Sequence, residues 1–377
     1  MSEEKNILVV GTGLIGTSIA LGLTAQGSQV FLSDIDPAAL ANALKVSGAT
    51  KYSDQDIAVV LTLHKTIDIE QIKKIKYVFE THFHADFLSG HLELAAKVGA
   101  EIVYGHGAYG RVDFPIRTMK HAEHFSLGRV DLELLETPGH TPESACLVVR
   151  PEGQMSTPYG VCTGDTLFIG DVGRPDLLSS VGFTAEDLAH QLYDSLHNKL
   201  MLLPDATKVY PAHGAGSSCG KNLSTETVST IGEQRRTNYA LAPMKVEQFV
   251  EAVTQGQSVA PLYFLFAATK NRQAHELFVD SVDIVMMTLD EVKKANFNGA
   301  VIIDSRDDMS FAAGHLRGSV NVGLSGRFAE YVGEVMEPGT PIILVCESGT
   351  ESEAKMRLAR IGFDNVIGAL NDPVRVF

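Results

Sequence analysis

Apolar residues fall along this chain in short strand-like runs separated by longer stretches of helical period. The run from Ile7 to Val10 is continuously apolar, as a buried strand is. A glycine turn separates it from an apolar-periodic stretch predicted helical to about Gln26, and "SQVFLSD" is predicted as a second strand ending in an acid. After residue 57 strands and helices keep alternating. "KYVFE" is a predicted strand, "LELAAKVG" a helix, and "VDLELLETPG" a half-alternating strand closed by a turn. "GVCTGDTLF" and "KVYPAH" are strands that each deliver a polar residue at their ends. Near the C-terminus the order is helix "TLDEVKKA", strand "AVIID", strand "PIILVC" and helix "ESEAKMRLARIG". The pattern predicts an α/β protein in three blocks, residues 1–56, 57–257 and 288–377. The connector, 258–287, carries "APLYFLF", too apolar for a solvated linker and expected to pack on a neighbouring domain.

Composition narrows the classes. The chain has 377 residues, enough for two or three domains, and a formal charge of −15 from 46 acids and 31 bases. Nucleic acid and anionic membranes are disfavoured as partners, because both would repel such a surface. No apolar run is long enough to span a bilayer, and "MSEEKNILVV" lacks the pattern of a signal peptide, so a cytoplasmic location is expected. The four cysteines, Cys146, Cys162, Cys219 and Cys346, are scattered and form no CxxC pattern, which fits free thiols in a reducing compartment.

The chemistry gathers at the strand ends of the second block. "ETHFHADFLSGH" supplies His82, His84 and Asp86; "TPGHTPES" supplies His140, "CTGDTLF" Asp165 and "YPAHGAG" His213. Imidazoles and carboxylates brought to one sheet edge suit a first-row divalent metal.

With these motifs the second block resembles the metallo-β-lactamase superfamily, whose signature is H-x-H-x-D, a distant G-H-T, then G-D and P-x-H. The stretches "ETHFHADFLSGH", "TPGHTPES", "GDVGRPD" and "PAHGAGSSCGK" are similar to persulfide dioxygenases fused to rhodanese domains. The resemblance implies an αββα sandwich core. Binuclear hydrolases of the superfamily have a histidine directly after the motif aspartate, and here that position is Phe87, which cannot coordinate. A single-metal centre is therefore favoured. The dioxygenase resemblance implies one iron(II) held by His82, His140 and Asp165, the facial arrangement that leaves positions open for substrate and O₂. It makes His84, Asp86 and His213 groups that orient those ligands, although the sequence leaves His84 open as a direct ligand. The implied substrate is a small persulfide such as glutathione persulfide, oxidised to sulfite in sulfide detoxification. Arg174 matches a family arginine placed to contact that substrate, Tyr210 is a candidate hydrogen-bond donor to it, and Cys219 is either a sulfur-handling thiol or a small buried hydrophobe. The alternatives are a zinc thioester hydrolase of the glyoxalase II type, a dehydrogenase fragment, or a non-catalytic sulfur carrier. A homo-oligomer remains open.

The third block resembles a rhodanese domain through "IIDSRDDMSFAAGHLRGSVNV" and a strand leading into Cys346. That resemblance makes Cys346 a candidate catalytic thiol. Usual rhodanese loops carry basic residues, whereas "CESGTES" brings Glu347 and Glu351, which oppose a thiolate.

The first block carries "GTGLIG". Gly11, Gly13 and Gly16 lie between strand and helix, and Asp34 ends the next strand, the context in which such glycines bind a dinucleotide pyrophosphate and an acid binds ribose. The stretch resembles the Rossmann-like start of prephenate dehydrogenases. Only about one βαβ unit is present and no dehydrogenase catalytic domain follows, so NAD(P) binding is disfavoured.

Overall fold

The computed structural model describes residues 75–376 apart from 127–129, 152–155, 178–181 and 278–283, and, before residue 75, the strands 6–10, 30–33, 50–51 and 57–61. The chain divides into two compact units. One comprises residues 1–83, 90–260 and 272–274; the other comprises 84–89, 261–271 and 275–377.

The first unit is built on two sheets. One has seven strands in the order β3-β2-β1-β4-β5-β6-β7. They are β1 (Asn6–Val10), β2 (Val30–Ser33), β3 (Thr50–Lys51), β4 (Ile57–Leu61), β5 (Tyr77–Phe79), β6 (Glu101–Gly105) and β7 (Arg117–Met119). All of its pairings are parallel. The expected N-terminal strands thus extend the sheet that carries the H-x-H-x-D motif, with β4 beside β5. Gly11, Gly13, Gly16 and Asp34 lie outside the described residues.

The second sheet runs β13-β12-β11-β10-β9-β8. Its strands are β8 (Glu123–Ser126), β9 (Val130–Glu136), β10 (Ala145–Pro151), β11 (Gly160–Gly164), β12 (Lys208–Pro211) and β13 (Ser229–Thr230). Its pairs are antiparallel except β11 with β12. The half-alternation of β9 is the cause of its burial pattern, in which Val130, Leu132 and Leu134 point inward. The sheets meet through aromatic rings: Tyr77 and Phe79 of β5 set T-shaped contacts on Phe125 of β8, at 4.6 and 5.4 Å.

Helix α1 (His91–Val98) packs Leu92 and Ala95 toward a cluster of Phe83, Ile102, Tyr104 and Phe114. Helices α2 (Ala185–His197) and α3 (Val246–Thr254) cover the second sheet. Leu188, Leu192 and Leu196 recur at helical spacing, and Thr184 caps α2 by accepting from the Asp187 amide. Leu192 and Leu196 join Cys146, Val148, Val161, Val209, Phe249 and Val253 in one buried cluster.

The second unit carries a parallel sheet ordered β14-β18-β17-β15-β16, from β14 (Met286–Met287), β15 (Val301–Asp304), β16 (Val320–Asn321), β17 (Ile342–Val345) and β18 (Val366–Leu370). Its central strand β17 is buried along its whole length, as a parallel strand covered on both faces must be. Helix α4 (Leu289–Phe297) starts at a Thr288–Glu291 capping box. The apolar connector forms a helix, Tyr263–Lys270, with Tyr263 and Phe264 buried, and Gly333 leaves room for the Tyr263 ring.

Leu192→Ala removes a fully buried side chain from beneath the second sheet. It is expected to cost about 2–5 kcal/mol, read as a lower denaturant midpoint; an unchanged midpoint would show that this face of α2 is not packed.

Candidate metal centre

Strand ends deliver the central group. His82 follows β5, His140 lies in the turn after β9, Asp165 directly follows β11, and His213 follows β12. Parallel β11 and β12 finish side by side, so Asp165 and His213 arrive at the same edge. Donor atoms of His82, His140 and Asp165 all lie within 4.8 Å of one another, and all three residues are buried. The His82 and His140 rings meet edge to face with centroids 5.0 Å apart. Nε2 of His213, His140 and His82 stands 3.3, 3.4 and 3.9 Å from Asp165 Oδ2.

The hydrogen bonds behind these rings fix what faces inward. His140 Nδ1 lies 2.9 Å from the Arg174 carbonyl, which only accepts, so Nδ1 carries the proton. In the neutral ring Nε2 then presents a lone pair to a carboxylate oxygen 3.4 Å away. His82 Nδ1 meets the Thr81 hydroxyl at 2.9 Å, again leaving Nε2 toward Asp165. Both Asp165 oxygens are buried without a well-formed hydrogen bond among the described residues, and the His213 and His140 nitrogens stand at the outer limit of reach. Burial alone would raise the Asp165 pKa; positive charge on the imidazoles of His213, His82 and His140 outweighs it and holds the carboxyl well below the usual carboxylate range, and where those rings are neutral only a cation between them can supply that charge. Facing lone pairs around a buried anion are costly unless a cation lies between them. The donor set fits a divalent metal of the imidazole–carboxylate type.

Close backbone approach makes this possible. A Cβ at Gly173 would sit 1.9 Å from the Asp165 carbonyl oxygen and 3.0 Å from His140 Cβ. Gly164, at φ +51°, lies so near Thr81 that a Cβ would come within 2.9 Å of its hydroxyl. The glycine of the G-D motif thus leaves room for the Thr81 side chain whose hydroxyl meets His82.

The remaining expected site residues are placed differently. Arg174 is buried, and its guanidinium is engaged by the protein. It donates to both Asp176 carboxylate oxygens at 2.7 Å, to the Ser218 carbonyl at 3.3 Å and to the Ser258 carbonyl at 2.6 Å. Its amide donates to the Cys219 carbonyl. Arg174 therefore clasps three segments and holds the carbonyl that orients His140. The Tyr210 hydroxyl donates to Tyr159, which also accepts from Lys208 Nζ. Burial and that hydrogen bond raise the Tyr210 pKa above the ordinary phenol value. Cys219 is buried, and its amide donates to the Ser217 hydroxyl.

His84 and Asp86 belong to the loop 84–89, which clusters with the second unit. His84 Nδ1 is 3.7 Å from Asp86 Oδ1, and the His84 ring stacks on Phe87 with centroids 4.3 Å apart. Asn271 pins that loop, donating to the carbonyls of His84 and Phe87 and accepting from the Ser89 amide. No sequence motif pointed to Asn271, because its partners are backbone atoms of a remote segment.

In the second unit Cys346 directly follows β17 and is buried. The Ser305 hydroxyl donates to its sulfur at 3.2 Å. Burial, with Glu351 and Asp304 adding to it against the Ser305 hydroxyl, pushes the thiol up to about 11. Arg306 is turned to Asp304, bonding it at 2.9 and 2.6 Å.

A sequence profile described as Metallo-beta-lactamase superfamily matches residues 66–213, and one described as Rhodanese-like domain matches residues 288–372. Over 200 residues the chain is 30% identical to the mouse protein "Persulfide dioxygenase ETHE1, mitochondrial", covering 52% of this chain and 68% of that one. Over 164 residues it is 34% identical to "Probable hydroxyacylglutathione hydrolase glo2" of Schizosaccharomyces pombe, covering 44% and 56%. A crystal structure of a metallo-beta-lactamase from Staphylococcus aureus superposes with a TM-score of 0.69 at 28% identity, covering 78% of this chain and 84% of that one. The chain belongs to the metallo-beta-lactamase superfamily, a metal-binding fold, and carries a C-terminal rhodanese-like domain. Within the superfamily it has persulfide dioxygenase homologues at about 30% identity over half its length. Among the described residues no helix is long and apolar enough to cross a membrane.

Two outcomes are expected. Gly173→Ala drives a methyl into the Asp165 carbonyl and the His140 side chain, so metal affinity measured by titration falls at least about tenfold; wild-type affinity would show that this approach does not shape the site. A thiol pushed up from 9.0 to about 11 is roughly 0.1% thiolate at pH 8, against roughly a tenth without the shift. Alkylation of Cys346 by iodoacetamide, followed by peptide mass spectrometry, should therefore be about 100-fold slower than that of an unshifted thiol at pH 8 and should accelerate toward pH 11. Rapid labelling at pH 7 would contradict the raised pKa.

Proposed function

We propose that this protein is an iron(II)-dependent persulfide dioxygenase, with His82, His140 and Asp165 as the metal ligands and a small persulfide such as glutathione persulfide as substrate. The observation that carries this reading is the compact two-histidine, one-carboxylate group in a chain that has Phe87 where two-metal hydrolases of the superfamily have a ligand. His82, His140 and Asp165 would hold the metal, which would supply the means of bringing a persulfide sulfur and O₂ together. The overall reaction balances as RSSH + O₂ + H₂O → RSH + SO₃²⁻ + 2 H⁺. The outer sulfur is oxidised, O₂ is the oxidant, and the S–S bond breaks to return the thiol.

This chain's residues serve that reaction by position. The Arg174 carbonyl and the Thr81 hydroxyl keep the Nε2 atoms of His140 and His82 aimed at the metal position. Asp165 stays ionised across the physiological range and supplies the balancing charge. His213, more exposed than the other three, steadies Asp165 from 3.3 Å. Arg174 acts by holding the site together, since Asp176 and two backbone carbonyls take its donors. Persulfide and O₂ are the implied partners. The rhodanese-like domain, with a protonated Cys346 at neutral pH, accompanies the oxidation without a thiolate ready for sulfur transfer.

A second reading, zinc-dependent thioester hydrolysis, is favoured by the 34% identity to the hydroxyacylglutathione hydrolase relative. One experiment separates them. The full chain, purified anaerobically and loaded with iron(II), is expected to consume O₂ and form sulfite from glutathione persulfide, and His140→Ala should lower the rate at least about 100-fold. Hydrolysis of S-lactoylglutathione by the zinc-loaded protein, with no O₂ uptake by the iron-loaded one, would establish the hydrolase instead.

A further inference from the structure

Glu143 lies three residues beyond His140 and is almost fully buried, at 3% exposure. Its Oε1 accepts the amide of Phe83 at 3.0 Å, within the buried interior. Two residues along from each partner, the Ala145 amide donates to the Thr81 carbonyl at 2.9 Å. His82 is therefore bracketed, at residues 81 and 83, by two hydrogen bonds to the segment 143–145. One of these is backbone pairing. In the other, the Glu143 carboxylate takes the place of the carbonyl that a regular strand partner would offer. Its second oxygen, Oε2, lies 3.6 Å from Nη1 of Arg111, whose side chain reaches the surface.

From this we propose that Glu143 is a positioning residue of the metal centre, setting the His82 segment against the His140 turn. The inference rests on the reading of His82, His140 and Asp165 as ligands. The His82 ring must arrive edge-on to His140, and neither histidine is in a regular strand. Their separation is set by whatever joins segments 81–83 and 143–145, and at residue 83 that joint is the Glu143 side chain. A buried acceptor suits the task, because a displaced Phe83 amide would be left without a partner away from water. Geometry makes the role depend on reach and on an accepting oxygen. Glutamine keeps both, aspartate is one methylene short, and alanine has neither.

The test uses the full-length apoprotein titrated with cobalt(II), following both affinity and the visible d–d absorption, whose energy and intensity report ligand geometry. Wild type should bind with a defined spectrum, and Glu143→Gln should stay within about threefold of it with the same bands. Glu143→Ala should bind about 10–100-fold more weakly with shifted bands, and Glu143→Asp about tenfold more weakly. If Glu143→Ala does not fold, the contrast between Glu143→Gln and Glu143→Asp decides. Wild-type affinity and spectrum in both the aspartate and alanine variants, or equal losses in glutamine and alanine, would overturn the proposal. Failure of the wild type itself to bind cobalt would strike the ligand assignment, on which the proposal rests.

Discussion

A buried carboxylate faced by imidazole nitrogens is the constraint on which the first unit depends. Asp165 is sealed from solvent, and the Arg174 carbonyl takes the Nδ1 proton of His140, so that in the neutral ring the nitrogen turned toward Asp165 carries a lone pair. Such an arrangement is unfavourable for a protein alone and favourable around a cation. Much of the surrounding structure can be understood as what is needed to hold three such groups at that separation.

The holding is done by backbone proximity and by residues with no chemistry of their own. Gly164 and Gly173 let Thr81 and the Asp165 carbonyl come closer than any side chain would allow. The Arg174 guanidinium locks its own loop to Asp176, Ser218 and Ser258, and thereby keeps its carbonyl on His140. Beneath these loops the cluster around Leu192, Val161 and Phe249 supplies rigidity. The second unit is held by analogous means, with Asn271 satisfying three backbone groups of the loop that carries His84 and Phe87.

Much of this was legible in the amino-acid pattern because its causes are local. Half-alternation in "VDLELLE" and continuous apolarity in "PIILVC" correspond to β9 and β17, and polar residues at strand ends mark His82, His84, Asp86, His140, Asp165 and His213 alike; the choice of three ligands among them comes from the family resemblance. What could not be read were the long-range partners. Arg174 was expected to face a substrate; that Asp176 takes its guanidinium depends on how the turn closes. The hydroxyl of Tyr210 looked available until Tyr159 was brought beside it by the pairing of β11 with β12. Glu143 sat in plain view in "TPGHTPES", but nothing in that motif says that its carboxylate reaches Phe83. The acidic loop after Cys346 is legible, and Glu351 does raise the thiol pKa, but burial raises it more and the second acid that acts on it is Asp304, not Glu347.

A single metal held by His82, His140 and Asp165 is what the proposed function requires. The most direct test of that requirement is an anaerobic titration of the full-length apoprotein with iron(II), read as the molar ratio at saturation. One metal per chain is expected, with binding lost in Asp165→Ala. Saturation at two metals per chain would contradict it, because a second site would then form despite a phenylalanine at residue 87.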